Sequence, residues 1–137
     1  MTYAGDVTSA EAYAALTGGA DALLVDVRTR AEWSFVGVPD LAASDRPVAF
    51  AEWSRFPDGS LNERFVEEVR EAGLVPGQPV YLLCRSGVRS RAAAEALTAA
   101  GLGPAYNIAD GFEGPHDGEG HRTVSGWKVA GLPWRQG

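Results

Sequence analysis

Val80-Tyr81-Leu82-Leu83-Cys84-Arg85-Ser86-Gly87-Val88-Arg89-Ser90-Arg91 is an apolar run that ends on the chain's only cysteine and passes straight into a polar turn containing glycine. The alanine-rich residues 92–100 that follow predict a helix. Read together, the stretch is strand, tight loop and helix, with Cys84 as first loop residue and the helix N-terminus directed back at it. That placement stabilises negative charge on sulfur. The positive end of the helix macrodipole contributes, as do the guanidinium groups of Arg85 and Arg89 if they fold around the loop. Backbone N–H groups from Ser86 to Ser90, freed from strand and helix pairing, would form an anion-binding nest. The plain alternative is that Cys84 is a small buried hydrophobe, as most single cysteines are. Packing alone, however, does not call for two arginines and a glycine at the carboxyl end of a strand, where open parallel sheets place their ligands.

Outward from this unit, the chain reads as alternating helices and strands. Thr8-Ser9-Ala10-Glu11 is a capping box ahead of Ala12, Tyr13, Ala15 and Leu16, with Gly18-Gly19 as the stop. Residues 22–27 form a continuous apolar run of strand length, suited to a parallel sheet covered on both faces. Residues 47–51 predict a further strand, and the loop after it carries Trp53 and Phe56, which read as closing the edge of the core. Ser60-Leu61-Asn62-Glu63 reads as a second capping box, opening a helix that presents Leu61, Phe65, Val69 and Ala72 on one face and stops at Gly73. Pro76-Gly77-Gln78-Pro79 turns the chain into the cysteine strand, and Ala105-Tyr106-Asn107-Ile108 predicts a short final strand.

Composition sets the outer limits. A length of 137 residues suits one domain with a real core, and 45% hydrophobic with 22% charged residues is the balance of a globular protein. The net charge of −6 argues against nucleic acid or an acidic membrane as main partner. Lys128 is the only lysine, so local anion sites must be built from arginine or backbone. A single cysteine cannot form an internal disulfide, and the first residues lack a basic start and apolar core, which together point to the cytoplasm. No apolar run approaches the ~20 residues of a membrane helix. Both histidines, His116 and His121, fall in a glycine-rich segment with Asp117 and Arg122. A surface loop is the stronger reading of it; a metal site on one flexible loop is weak, and a lid over the cysteine is a third reading.

The cysteine motif resembles the active-site loop of the rhodanese-like sulfurtransferase domain family, in its single-domain form. The end of the early strand, Asp26-Val27-Arg28, and the following Glu32-Trp33 resemble the same family's Asp-x-Arg and Glu-aromatic pattern. The resemblance spans nearly the whole chain. It implies a single α/β domain over residues 1–137, three layers of α/β/α around a mostly parallel five-stranded sheet, with an insertion at about 115–126. By resemblance, Cys84 takes up a sulfane sulfur as a persulfide. Arg85, Ser86, Gly87, Val88, Arg89 and Ser90 would bind the donor, and Asp26 and Arg28 would support the loop from behind. For Asp26 an ion pair and turn cap at a strand end is the preferred reading; Arg28 fits that role and the positioning of the loop or a substrate anion equally well. The implied partners are a thiosulfate-like donor and a thiophilic acceptor such as cyanide or a thiol, including a protein thiol. Neither metal nor organic cofactor is implied.

Two departures stand out. Where the family has Gly-His-Ile-Pro-Gly-Ala, this chain has Val36-Gly37-Val38-Pro39-Asp40-Leu41, without the histidine. Near the C-terminus, Asp110-Gly111-Phe112 resembles the family's Gly-Gly-aromatic segment with its first glycine replaced, and the usual tryptophan is delayed to Trp127. Two other classes are weighed: a non-catalytic or sensory module on the same fold, and a phosphatase or arsenate reductase. Related phosphatases place the loop arginine after five intervening residues; Cys84 and Arg89 enclose four, and position 90 is Ser90.

Overall fold

The computed structural model of the chain describes residues 3–18, 21–41, 47–55, 58–114 and 125–136. Five parallel strands form one sheet: β1 (Gly5–Val7), β2 (Leu23–Asp26), β4 (Ala49–Phe50), β5 (Val80–Leu83) and β6 (Ala105–Ile108), in the order β1-β6-β5-β2-β4. The mostly parallel five-stranded sheet expected from the sequence is therefore present. A separate antiparallel pair joins β3 (Val38–Pro39) to β7 (Trp134–Arg135). The helices are α1 (Ser9–Thr17), α2 (Arg30–Phe35), α3 (Phe65–Glu71) and α4 (Val88–Ala99). Among the described residues no helix is long and apolar enough to cross a membrane.

Side-chain alternation along the strands divides the core into two layers. Leu23, Val25, Val80, Leu82 and Ala105 face Phe65 and Val69 of α3 and Ala93, Ala94 and Leu97 of α4. Leu24, Leu83 and Ile108 face the other way, against Ala12 and Leu16 of α1 and the fully buried Trp127. Strand β5 lies between β2 and β6, and Asp26 pairs in register with Leu83. The segments leaving β2, β5 and β6 consequently emerge side by side at one carboxyl edge of the sheet. Trp127 anchors the tail, its Nε1 donating to Pro133 O at 2.7 Å and its ring meeting Tyr13 edge-on at 5.6 Å.

The caps explain where helices start, and one expectation fails. Thr8 caps α1 in a full capping box with Glu11, as the sequence indicates. Residues 60–63 do not form a second box, because α3 begins only at Phe65 with no side-chain cap. Asn62 organises that turn instead. Its buried amide donates to Glu52 O and Glu68 Oε1, and its Oδ1 accepts from Arg64 N. With Asn62 turned inward, Leu61 is left exposed, bridged to Ser54 rather than packed on the helix face. Ala72 is also exposed, so of the proposed face only Phe65 and Val69 reach the core. Trp53 does close the edge of the core, edge-on to Phe65 at 5.3 Å. Phe56 and the segment carrying His116, Asp117, His121 and Arg122 lie outside the described residues.

Candidate active site

Cys84 follows β5 directly, and the chain turns through Arg85 and Ser86 to Gly87, whose φ of 103° permits the sharp entry into α4. A side chain is excluded at Gly87 twice over, by that backbone angle and because a Cβ would run into Ala109 O. The turn brings Gly87 N–H to Cys84 Sγ at 3.1 Å, and Ser90, in the first turn of α4, places its Oγ at 3.1 Å from the same sulfur. The thiol is only 1% exposed. One backbone N–H and one hydroxyl thus converge on the sulfur atom, in front of a helix N-terminus.

The loop is fixed from behind by the segment after β6. Phe112 N donates to Cys84 O at 2.9 Å, and Glu113 N and Gly114 N both donate to Arg85 O at 3.1 Å. This approach is so close that a Cβ at Gly111 would overlap Arg85 O, which makes the glycine of the Asp110-Gly111-Phe112 segment obligatory.

The two loop arginines do not fold around the sulfur. Arg85 turns to Glu113, Nε to Oε2 at 2.9 Å, and Arg89 makes a bidentate pair with Glu32 at 2.6 and 3.0 Å. The reason lies in α2, which opens on Thr29 with a capping box to Glu32 and delivers that carboxylate to the loop. Burial pushes the Glu32 carboxyl up, but the hydrogen bonds from Arg89 and from Thr29 outweigh it and hold the group below its usual value. Arg89 is pushed further up from its already high value, first by its bonds to Glu32, with smaller contributions from the neighbouring Cys84 and Asp26. Val88 projects outward and is largely exposed, and Ser86 lines a shallow cleft with Asp6, Thr8 and Ser125. Beside the Arg89–Glu32 pair lies a cavity of about 450 Å³ walled by Thr29, Phe35, Val36 and Arg55.

Asp26 and Arg28 stand at the same sheet edge, completely buried. Arg28 Nε donates to both Asp26 oxygens at 3.0 and 3.3 Å, and Nη2 donates to Asp26 Oδ2 and to Gly37 O, each at 2.7 Å. The guanidinium lies over the Phe112 ring, 4.2 Å from its centroid. Arg28 therefore supports the loop through Phe112 with its charge taken up by Asp26, while its Nη1 is buried without a hydrogen-bond partner among the described residues. Gly37 explains the missing histidine. Its φ is 111°, and a Cβ there would meet the Trp134 ring at 2.8 Å and Arg135 O at 2.9 Å. The β3–β7 pair occupies the space a side chain would need, and the Gly37 carbonyl braces Arg28 in its place.

Two contacts of the site are not evident from the sequence reading, in which Glu32 figures only in the Glu-aromatic pattern. Thr29-Arg30-Ala31-Glu32 carries the Thr-x-x-Glu signature that would have revealed α2 and the Arg89 partner. Asn107, an amide inside an otherwise apolar strand, accepts from Ser90 Oγ at 2.6 Å.

A doubly wound α/β domain with a lone cysteine between strand and helix defines the class. Residues 4–137 match the STR4 middle domain family, and the chain belongs to that family. It is similar to Rv0390 from M. tuberculosis, whose crystal structure shares 53% identity over 99% of this chain and 100% of that one, with a TM-score of 0.90. An uncharacterized protein of Rickettsia conorii, RC0915, is 38% identical over 95% of this chain and 96% of its own length. The protein THYLAKOID RHODANESE-LIKE, chloroplastic, of Oryza sativa subsp. indica is 29% identical over 95% of this chain but 25% of its own. The fold is shared with a 30 kDa polysulfide-sulfur transferase homodimer from Wolinella succinogenes, at a TM-score of 0.64 and 23% identity over 96% of this chain and 77% of that one.

Proposed function

We propose that the chain is a rhodanese-type sulfurtransferase that carries a sulfane sulfur on Cys84, working in the cytoplasm as a single domain over residues 1–137. The observation that carries this reading is the convergence of Gly87 N–H and Ser90 Oγ on Cys84 Sγ, each at 3.1 Å. The rhodanese-like and polysulfide-sulfur transferase names among its relatives support it. In the first half-reaction the Cys84 thiolate attacks the sulfane sulfur of a thiosulfate-like donor. The S–S bond of the donor breaks and sulfite leaves with its electron pair. In the second, cyanide or a thiolate, including one on a protein, attacks the terminal sulfur of the persulfide and Cys84 thiolate returns. Arg85 and the loop from Ser86 to Ser90 receive the donor, Arg89 on Glu32 keeps that loop closed on the sulfur, and Asp26 and Arg28 hold the loop's underside.

The test is the intact mass after incubation with thiosulfate. The wild type gains one sulfur atom, cyanide removes it, and Cys84→Ser takes up none, because oxygen cannot carry the persulfide. Steady hydrolysis of an aryl phosphate, lost in Cys84→Ser and without any sulfur gain in the wild type, would replace this reading with a phosphatase. A second reading, a binding or sensory module, is favoured by the burial of Cys84 and by the pairing of both arginines. A non-catalytic binding module predicts neither sulfur gain nor phosphate release, whereas a sensor using the same persulfide predicts sulfur gain without turnover to an acceptor.

A further inference from the structure

Behind Cys84 runs a line of hydrogen bonds that the sulfur-transfer chemistry does not itself require. Ser90 Oγ stands 3.1 Å from Cys84 Sγ and donates its proton to Asn107 Oδ1 at 2.6 Å. Asn107 Nδ2 donates to Asp6 Oδ1 at 3.1 Å, and Asp6 accepts a further bond from Tyr3 at 2.7 Å. Ser90 and Asn107 are buried, while Asp6 lies at the surface. Neighbouring strands set this order, because Asp6 on β1 and Asn107 on β6 are register partners and so share the sheet face that α4 covers.

A serine hydroxyl has one proton to give. Asp6, as a carboxylate, only accepts, so the Asn107 nitrogen must face it and the Asn107 oxygen must face Ser90. While Ser90 donates to that oxygen, its own oxygen is free to accept the S–H of a neutral Cys84. When the thiol loses its proton to the buffer, the Ser90 hydroxyl has to swing onto the sulfur, and the buried Asn107 oxygen loses its donor.

We propose that Asn107, held in orientation by Asp6, is a positioning residue that draws the Ser90 proton away from Cys84 and so opposes loss of the thiol proton. This rests on Cys84 being the nucleophile, yet it concerns ionisation alone. The other charged groups around the sulfur are Arg89 on α4 with Glu32 on α2, Asp26 at the end of β2, and the Arg85–Glu113 pair on the flanking loops. Their ion pairs are left untouched by changes at Asn107 or Asp6.

The experiment is the pH dependence of Cys84 alkylation by iodoacetamide, read by intact mass, which needs no sulfur donor and so succeeds or fails independently of sulfurtransferase activity. Ser90→Ala should raise the midpoint, since the thiolate loses a donor. Asn107→Leu should lower it by about one pH unit, since Ser90 becomes free to donate to sulfur. The double variant should match Ser90→Ala, because Asn107 acts only through Ser90. Should Asn107→Leu fail to fold, Asp6→Ala at the surface, compared with and without Ser90→Ala, supplies the same cycle: the amide can then flip, and the downward shift should shrink in the Ser90→Ala background. A midpoint that stays or rises on removing Asn107 or Asp6, or a downward shift of undiminished size without Ser90, would overturn the proposal.

Discussion

Removing Asp26 should be among the most damaging single changes in the molecule. Arg28 is fully buried, and its side chain donates to Asp26 and, outside that pair, to Gly37 O. Asp26→Ala leaves a guanidinium inside the protein without its counter-charge, a change that costs about 3–5 kcal/mol. Set against a typical total stability of about 5–15 kcal/mol, such a loss takes a large fraction of the fold. Exchanging both partners for apolar residues, Asp26→Leu with Arg28→Met, should recover most of it, because the desolvation of two charges is then avoided. What remains is the Gly37 carbonyl without its donor, about 1–3 kcal/mol, beside the Arg28 N–H, which loses its Asp26 acceptor in the single variant as well. Urea denaturation measures all of this, provided the slope stays constant while the midpoint moves. A loss below about 1 kcal/mol for Asp26→Ala, or a double variant as unstable as the single, would refute the account of the pair as a buried, mutually dependent unit.

Gly87→Ala should destabilise the protein by about 2–4 kcal/mol, combining the strain of positive φ with a Cβ driven into the Ala109 carbonyl. It should also slow alkylation of Cys84 by pulling the Gly87 N–H away from sulfur; wild-type melting and alkylation would contradict both. The Glu32–Arg89 pair should add a pH-dependent increment to stability. Because the folded Glu32 carboxyl is lowered, the increment is present above the unfolded carboxyl value of about 4.3 and is lost as pH falls through the folded value beneath it. The stability difference between wild type and Glu32→Gln should therefore stay constant from neutral pH down to about 4.3 and vanish as pH falls on through the folded value, whereas convergence already near neutrality would exclude this origin.

The sheet was legible because its central strands are short apolar runs with turn chemistry at both ends. Residues 22–27 and 80–83 can be read as nothing but buried parallel strands once Cys84 is seen at the end of one of them. Strand β1 was not legible, since Gly5-Asp6-Val7 carries no apolar run and is held as an edge strand by β6 alone. The β3–β7 pair was equally silent, because it joins residues nearly a chain length apart through two-residue strands. At the site, the sequence indicated which groups meet in the loop but not the direction in which the arginines turn. That direction depends on the carboxylates that α2 and the segment after β6 deliver, and only the fold decides it. The capping box at residues 60–63 failed for the same kind of reason: a local motif competed with a tertiary contact, the burial of Asn62, and lost.

The pairing of both loop arginines bears directly on how an anionic donor would approach the sulfur. Each guanidinium is already neutralised, so an anion gains only what it can take from a carboxylate. The Arg85–Glu113 pair has one bond at 2.9 Å, and its arginine side chain is 46% exposed. Pairs of that kind contribute about 0–1 kcal/mol, so opening one is within reach of thermal fluctuation and of a doubly charged ligand. The Arg89–Glu32 pair is bidentate and less exposed, and the hydrogen bonds from Thr29 N and Oγ1, each 3.1 Å, hold Glu32 in place. An anion taking Arg89 would have to displace a two-point bond from a carboxylate that the capping box of α2 already holds in place. Within the sulfurtransferase reading, the two arginines of Cys84-Arg85-Ser86-Gly87-Val88-Arg89 therefore divide their work. Arg85 is the guanidinium an incoming anion can capture at little expense, and Arg89 is the strut that keeps the loop closed on the sulfur while it does so.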